Sequence, residues 1–265
     1  MVGIHGITIL FYVIIGERRN LKLKRKTLRS LVVGGLLLLP IIAVAGSFTV
    51  IPIRIYLTEK KKTESLKIKN NGASKVTVQI ESFLWGQDKD GQDIQEPTKD
   101  LIYFPKILEI GPNEERIVRL SYSGNWPVTE KTYRLYVREI PVSEKGVTGL
   151  SMALRIGLPV FISPPQEKGE FDIEEAKTVE NALQVRVRNL ANHHIMVKKI
   201  TVLGLDAAGK TAFTNEIAGW YVLANVSKLF SMDLSPDDLK AAKTLNVLVQ
   251  SETMSRKATL KVPER

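Results

Sequence analysis

Residues 149–165 read GLSMALRIGLPVFISPP, and this stretch decides how the rest of the chain is read. Side chains alternate across a strand with period two, so Leu150, Met152, Leu154 and Ile156 fall on one side and Ser151, Ala153 and Arg155 on the other. Pro159 and the pair Pro164-Pro165 follow. Proline has no N–H to give a ladder, so the stretch is expected to be an edge strand that runs out into a linker. An edge that is both apolar and open invites another chain to pair with it, a hazard that folded proteins suppress with charge or cover. Here the hazard is read as the function.

Upstream, from Ser47, the texture is all-β. SFTVIPIRIYL is expected to be one strand, with Ile51, Ile53, Ile55 and Leu57 on one face and Arg54 on the other. LKIKNNG, KVTVQIESFLW, ILEIGPNEERIVRLSY and TYRLYVREIP follow, with turns at NNG, KDG and GPNE. Downstream, Pro164 to Lys168 reads as a linker, after which the alternation begins again: EFDIEEA, ALQVRVRN, HIMVKKITVLGLD, TAFTNEI, WYVLANVSKLFSMDL, TLNVLVQS and RKATLKVP. SPDDLKAAK is the one helical candidate, of a turn or two, with Ser235 as cap and Pro236 in the first turn. Short strands at this spacing predict two immunoglobulin-like β-sandwich domains in series, residues 46–165 and 166–265.

The chain has 265 residues, no cysteine and a net charge of +10. Residues 1–45 carry seven Lys/Arg against the single acid Glu17, which leaves a net +4 for the rest. A nucleic-acid partner needs a concentrated cationic surface, and the charge outside the leader does not supply one. The lack of cysteine excludes disulfides, Cys-ligated zinc and thiol catalysis.

Residues 1–45 hold a short apolar run (Ile7 to Ile15), a basic block, and a second apolar run, LVVGGLLLLPIIAVA, ending Ala43-Val44-Ala45. Positive charge, about 15 apolar residues and an A-x-A site make this a secretory signal peptide cleaved after Ala45. A membrane-spanning helix needs roughly 20 apolar residues without a central Gly-Gly and proline. The first apolar run is superfluous to a signal, which suggests a true start downstream of Met1.

With these residues in view, the chain resembles the PapD-like periplasmic chaperones of the chaperone/usher pathway, in their divergent branch. IPIRIYL, FPKILEIGPNEERIVRL, YRLYVREIP and the alternating LSMAL strand with its closing prolines carry the resemblance from Ser47 to Pro165. It implies a chaperone that lends its edge strand to a pilin, an immunoglobulin-like subunit missing its last strand, and delivers it to an outer-membrane usher. The lent strand gives main-chain hydrogen bonds and fills pockets with alternate side chains. Leu150, Met152 and Leu154 match the donor residues, with Ile156 next in the row, each worth about 1.5 to 3 kcal/mol when buried. Arg54 matches the arginine that anchors the pilin's terminal carboxylate between the domains, a role suited to a forked guanidinium. The family's assisting lysine is replaced by Pro159, for which Arg155 is a substitute, and its domain-bridging arginine by Ser163, although the usual partner Glu139 is present. The implied location is the periplasm, and the implied free form includes a self-capping dimer. The alternative is a secreted or envelope-anchored structural or adhesive protein of two such domains.

Other signals point to plain structure. Gly204 to Thr211, GLDAAGKT, fits the P-loop pattern letter for letter, but TAFTNEIAGWY behind it is too rich in β-formers for the required helix. A hairpin turn with its tip at Asp206 to Gly209 explains the same letters. QDKDGQD lacks the oxygen spacing of a calcium loop. His193 and His194, adjacent on an expected strand, point to opposite faces and make no metal pair. No enzyme, cofactor, nucleotide or metal is expected.

Overall fold

The computed structural model describes residues 48–141 and 153–262. The expected signal peptide and the donor positions Leu150 and Met152 lie outside the described residues.

The first sandwich packs two sheets. One has the order β1 (Phe48–Ile51), β3 (Thr63–Asn70), β8 (Glu115–Tyr122), β6 (Leu101–Phe104). The other runs β2 (Ile55–Leu57), β10 (Arg155–Ile162), β9 (Lys131–Ile140), β4 (Val76–Gln87), β5 (Asp93–Pro97), with β7 (Ile107–Ile110) also on β4. Strict alternation turns one residue in two inward. Leu66 and Ile68, Val78 and Ile80, Val118 and Leu120, Leu135 and Val137 thus form a shared buried core.

The second sandwich pairs β11 (Phe171–Val179), β12 (Ala182–Asn189) and β16 (Ser227–Asp233) in one sheet. The other sheet holds β14 (Thr211–Ala218), β13 (Ile195–Leu205), β17 (Thr244–Ser251) and β18 (Ser255–Lys261), with β15 (Tyr221–Val222) on β13. The one helix among the described residues, α1 (Pro236–Ala241), starts where expected, the Asp238 N–H donating to the Ser235 hydroxyl at 3.0 Å. Residues 163–170 join the sandwiches. The chain is an all-β protein of two immunoglobulin-like domains.

Two expectations need correcting. SFTVIPIRIYL is not one strand: it breaks at Pro52, leaving β1 in one sheet and β2 in the other. Pro52 has no N–H for a ladder, and the bend through Ile53 and Arg54 resets the alternation, so Ile51 and Ile53 are 62% and 70% exposed while Ile55 and Leu57 are buried. Nor does the 149–165 stretch run straight out into a linker. Among the described residues, Arg155 to Pro159 have the single neighbour β9, whereas Val160 to Ile162 lie between β9 and β2, the latter parallel. Pro159 is the last position before the second neighbour joins.

Each sandwich also turns on a buried asparagine. Asn70 donates through Nδ2 to the carbonyls of Ser74 and Ile110 at 2.8 and 3.0 Å, and its Oδ1 accepts from the Gly72 N–H. Asn189 donates to the carbonyls of His193, Val222 and Leu223 and accepts from the Ala191 N–H. Each is the last residue of its strand, β3 or β12, and ties the next turn to the opposite sheet, so the same residue type satisfies equivalent buried backbone groups in both domains.

Candidate functional site

The open edge comes first. From Arg155 to Pro159, β10 is bonded on one side only among the described residues, in register with β9 from Arg138 to Arg134. Leu154 and Ile156 are half-buried and pack against the first core, and the same side of the strand continues into buried Leu158, Val160 and Ile162. Leu154 and Ile156 are therefore the outer end of a ridge whose inner end is rooted in the core. Glu139 fixes the start of β10: its N–H donates to the Leu154 carbonyl at 2.8 Å and its carboxylate accepts from the Leu154 N–H at 3.2 Å. It stands five residues further along β9 than Arg134, roughly 16 Å at the usual strand rise. Arg155 stacks over the Tyr136 ring at 3.7 Å and lies 3.9 Å from Glu81. Neither Glu139 nor Arg155 is brought to Arg54 by these contacts.

Arg54 sits in the bend between β1 and β2, where the chain passes from one sheet to the other at the seam between the domains. Its Nη1 meets Glu252 Oε1 at 3.0 Å, and its guanidinium lies 5.7 Å over the Tyr221 ring. The hydrogen bond to the Glu252 carboxylate raises the Arg54 pKa above its ordinary value. Beside this pair opens a cleft of about 180 Å³ lined by Tyr56, His193, His194, Ser251, Glu252 and Thr253 among others. Both histidines border it. They precede β13 rather than sitting on it, so the opposite-face expectation for them fails.

The floor of the seam is aromatic. The odd face of β10 carries Phe161, which joins Trp85, Tyr221 and Leu223 in a third buried cluster shared by both sandwiches. Phe161 packs against both Tyr56, 5.2 Å away, and His194, 3.7 Å away. His194 is held by buried Glu130: the His194 N–H donates to Oε1 at 2.9 Å, and Nδ1 lies 2.9 and 3.0 Å from the two oxygens. Arg134 spreads over Trp85 at 3.7 Å with Asp93 3.7 Å away, and burial lowers its pKa. Trp220 Nε1 donates to Asp93, and Gln87 brackets the second domain by donating to the Tyr221 carbonyl and accepting from the Leu223 N–H. Lys228 donates to the Gly91 carbonyl at the β4–β5 turn. Sequence reading named none of these seam residues apart from the histidines. The clustering of Trp220 with Tyr221 was the available signal, whereas nothing near Glu252 marks it.

The P-loop letters form a hairpin. Leu205 ends β13 and Thr211 begins β14, a strand and not a helix. The Ala208 and Lys210 N–H groups, which a phosphate would need, donate to Asp206 Oδ1 at 2.9 Å. The KDG turn is closed in the same way on Asp88. Among the described residues no group of three His, Cys, Asp or Glu is placed to hold a metal, and no helix is long and apolar enough to cross a membrane.

Residues 47–168 match the family described as pili and flagellar-assembly chaperone, PapD N-terminal domain. No curated protein matches the chain in sequence. Among solved structures, the chaperone–tip subunit pre-assembly complex CsuC-CsuE from archaic chaperone-usher Csu pili of Acinetobacter baumannii aligns with TM-score 0.56 and 20% identity, over 80% of this chain and 98% of that one. The SafB chaperone complex with the SafA pilin of Salmonella enterica aligns with TM-score 0.52 and 15% identity, over 81% and 96%. The E. coli chaperone DraB gives 0.51 and 16%, over 81% and 97%. At these identities the solved structures speak for the fold, and the family match covers the domain that carries β10 and Arg54. The first sandwich, residues 47–168, belongs to the PapD N-terminal domain family of pili and flagellar-assembly chaperones, and the chain shares the fold of the solved pilus chaperones.

Proposed function

We propose that the chain is a periplasmic chaperone that binds a pilus or fimbrial subunit by lending it the edge of β10, and hands it to an outer-membrane usher. The observation that carries this reading is the one-sided pairing of Arg155 to Pro159, with Leu154 and Ile156 in a row that is rooted in the core. A rooted row stays in place when its outer end is offered to a client, so little ordering cost falls on the chaperone. Leu150 and Met152 extend the row by the same alternation. Arg54, at the seam, anchors the client's terminal carboxylate. A docking surface for the usher is supported by the outer face of the β1-β3-β8-β6 sheet, where Ile102, Phe104 and Ile117 are exposed, Phe104 by 77%. The activity is binding alone, with no bond made or broken and no cofactor.

The test is co-expression with the pilin subunits encoded beside it, followed by mass determination of any complex. A one-to-one complex is expected, and Leu154→Glu should weaken it by at least tenfold, since one buried side chain of this size is worth about 1.5 to 3 kcal/mol, while the free chain stays folded. Full recovery of the complex with Leu154→Glu, or assembly of the chain itself into polymers on the cell surface, would overturn the reading.

A further inference from the structure

We propose that Glu252 is a resident competitor for the site on Arg54, a carboxylate of the chain's own second domain that a client carboxylate must displace. The proposal rests on the anchor reading of Arg54 and goes beyond it by naming what holds the anchor when no client is present.

Three features carry it. Glu252 approaches Arg54 from 198 positions away in sequence and contacts it through one carboxylate oxygen on one guanidinium nitrogen, Oε1 to Nη1 at 3.0 Å. It is delivered by a closed turn rather than a loose loop. Between β17 and β18, the Ser251 hydroxyl accepts from the Thr253 and Met254 N–H groups, and the Ser251 N–H donates to the Met254 carbonyl at 2.9 Å. Both partners remain open to solvent, with side chains 34% and 40% exposed, and the cleft beside them gives an incoming group access.

A single-pronged contact is the weaker mode for a guanidinium, whose planar fork matches a carboxylate at two points. An exposed ion pair of this kind is worth a factor of about two to five in an equilibrium constant. Glu252 therefore holds the fork oriented and masks it from stray anions, yet yields to a carboxylate delivered with the apolar contacts of a client. The second domain thereby sets the threshold for engagement at a residue of the first.

The experiment follows the side-chain Nε–H resonance of Arg54, assigned by its loss in Arg54→Lys, in the full mature chain. Sodium acetate is titrated at ionic strength held constant with sodium chloride. In Glu252→Gln, acetate should shift the resonance with a midpoint two to five times lower than in the parent chain. Glu167→Gln, which removes an equal charge from the same cleft, should leave the midpoint where it was. Equal midpoints in the parent and Glu252→Gln would overturn the competitor and leave the anchor standing. An equal gain in Glu167→Gln would replace direct competition by diffuse charge and overturn it as well. No response to acetate in any chain would overturn the anchor reading, and the competitor with it.

Discussion

Phe161 and His194 lie face to face across the domain seam, ring centroids 3.7 Å apart and planes 14° from parallel. The two residues come from different sandwiches, and Phe161 belongs to the strand whose other side roots the donor row. The seam and the ridge proposed to bind a client are thus the two faces of β10.

Phe161→Ala should cost about 3 to 5 kcal/mol, as removal of a fully buried aromatic does. Because the lost contacts are shared between domains, urea unfolding followed by tryptophan fluorescence and by circular dichroism should split into two transitions. A single transition at the parent midpoint would contradict the coupling.

Asn189→Ala should destabilise more than Asn70→Ala. The first leaves three carbonyls and one N–H without their partner, the second two carbonyls and one N–H. At about 1 to 3 kcal/mol for a group left buried and unpaired, part of it recovered by relaxation and water, each should lose several kcal/mol. Chemical denaturation midpoints of the two variants check the order.

Stability should fall above about pH 10. Burial, and then the bond from the Tyr133 hydroxyl to Asp100 at 2.7 Å, raise the Tyr133 pKa well above its ordinary value, and burial raises Tyr56 and Tyr221 as well. A tyrosine whose pKa is higher folded than unfolded contributes its full stabilisation below its unfolded value of about 10 and loses it as pH rises further. Urea midpoints across this range should decline, and more shallowly in Tyr133→Phe, which has no proton to lose at that site.

Lys210→Ala should change stability by no more than about 0.5 kcal/mol and leave client binding intact, because Lys210 stands exposed in a hairpin whose amides are already taken by Asp206. Magnesium ATP should not move the thermal midpoint of the parent chain, since a ligand that binds the folded state must raise it.

Much of the fold was legible because strand alternation is local. KVTVQIESFLW, ALQVRVRN and TLNVLVQS show their buried sides by parity, and the structure keeps them as β4, β12 and β17. SFTVIPIRIYL misled because parity assumes an unbroken strand, and the change of sheet at Pro52 reverses which isoleucines meet the core. Of the proposed site, Leu154 and Ile156 stand out in the sequence as a row and Arg54 through its motif. Arg54's partner does not, since no periodicity connects Arg54 to a turn 198 positions away.

The amino-acid order by itself determined the all-β class, the capped helix at Pro236–Ala241 and the shared side of Leu154 and Ile156, because each depends on spacing between near neighbours. Tertiary structure alone decided that β10 is open over its first half and enclosed over its second, that Phe161 faces His194, and that Glu252 holds Arg54. Those relationships depend on which sheets pack and which turns meet, and the free energy that selects them is summed over the whole core rather than written in any one segment.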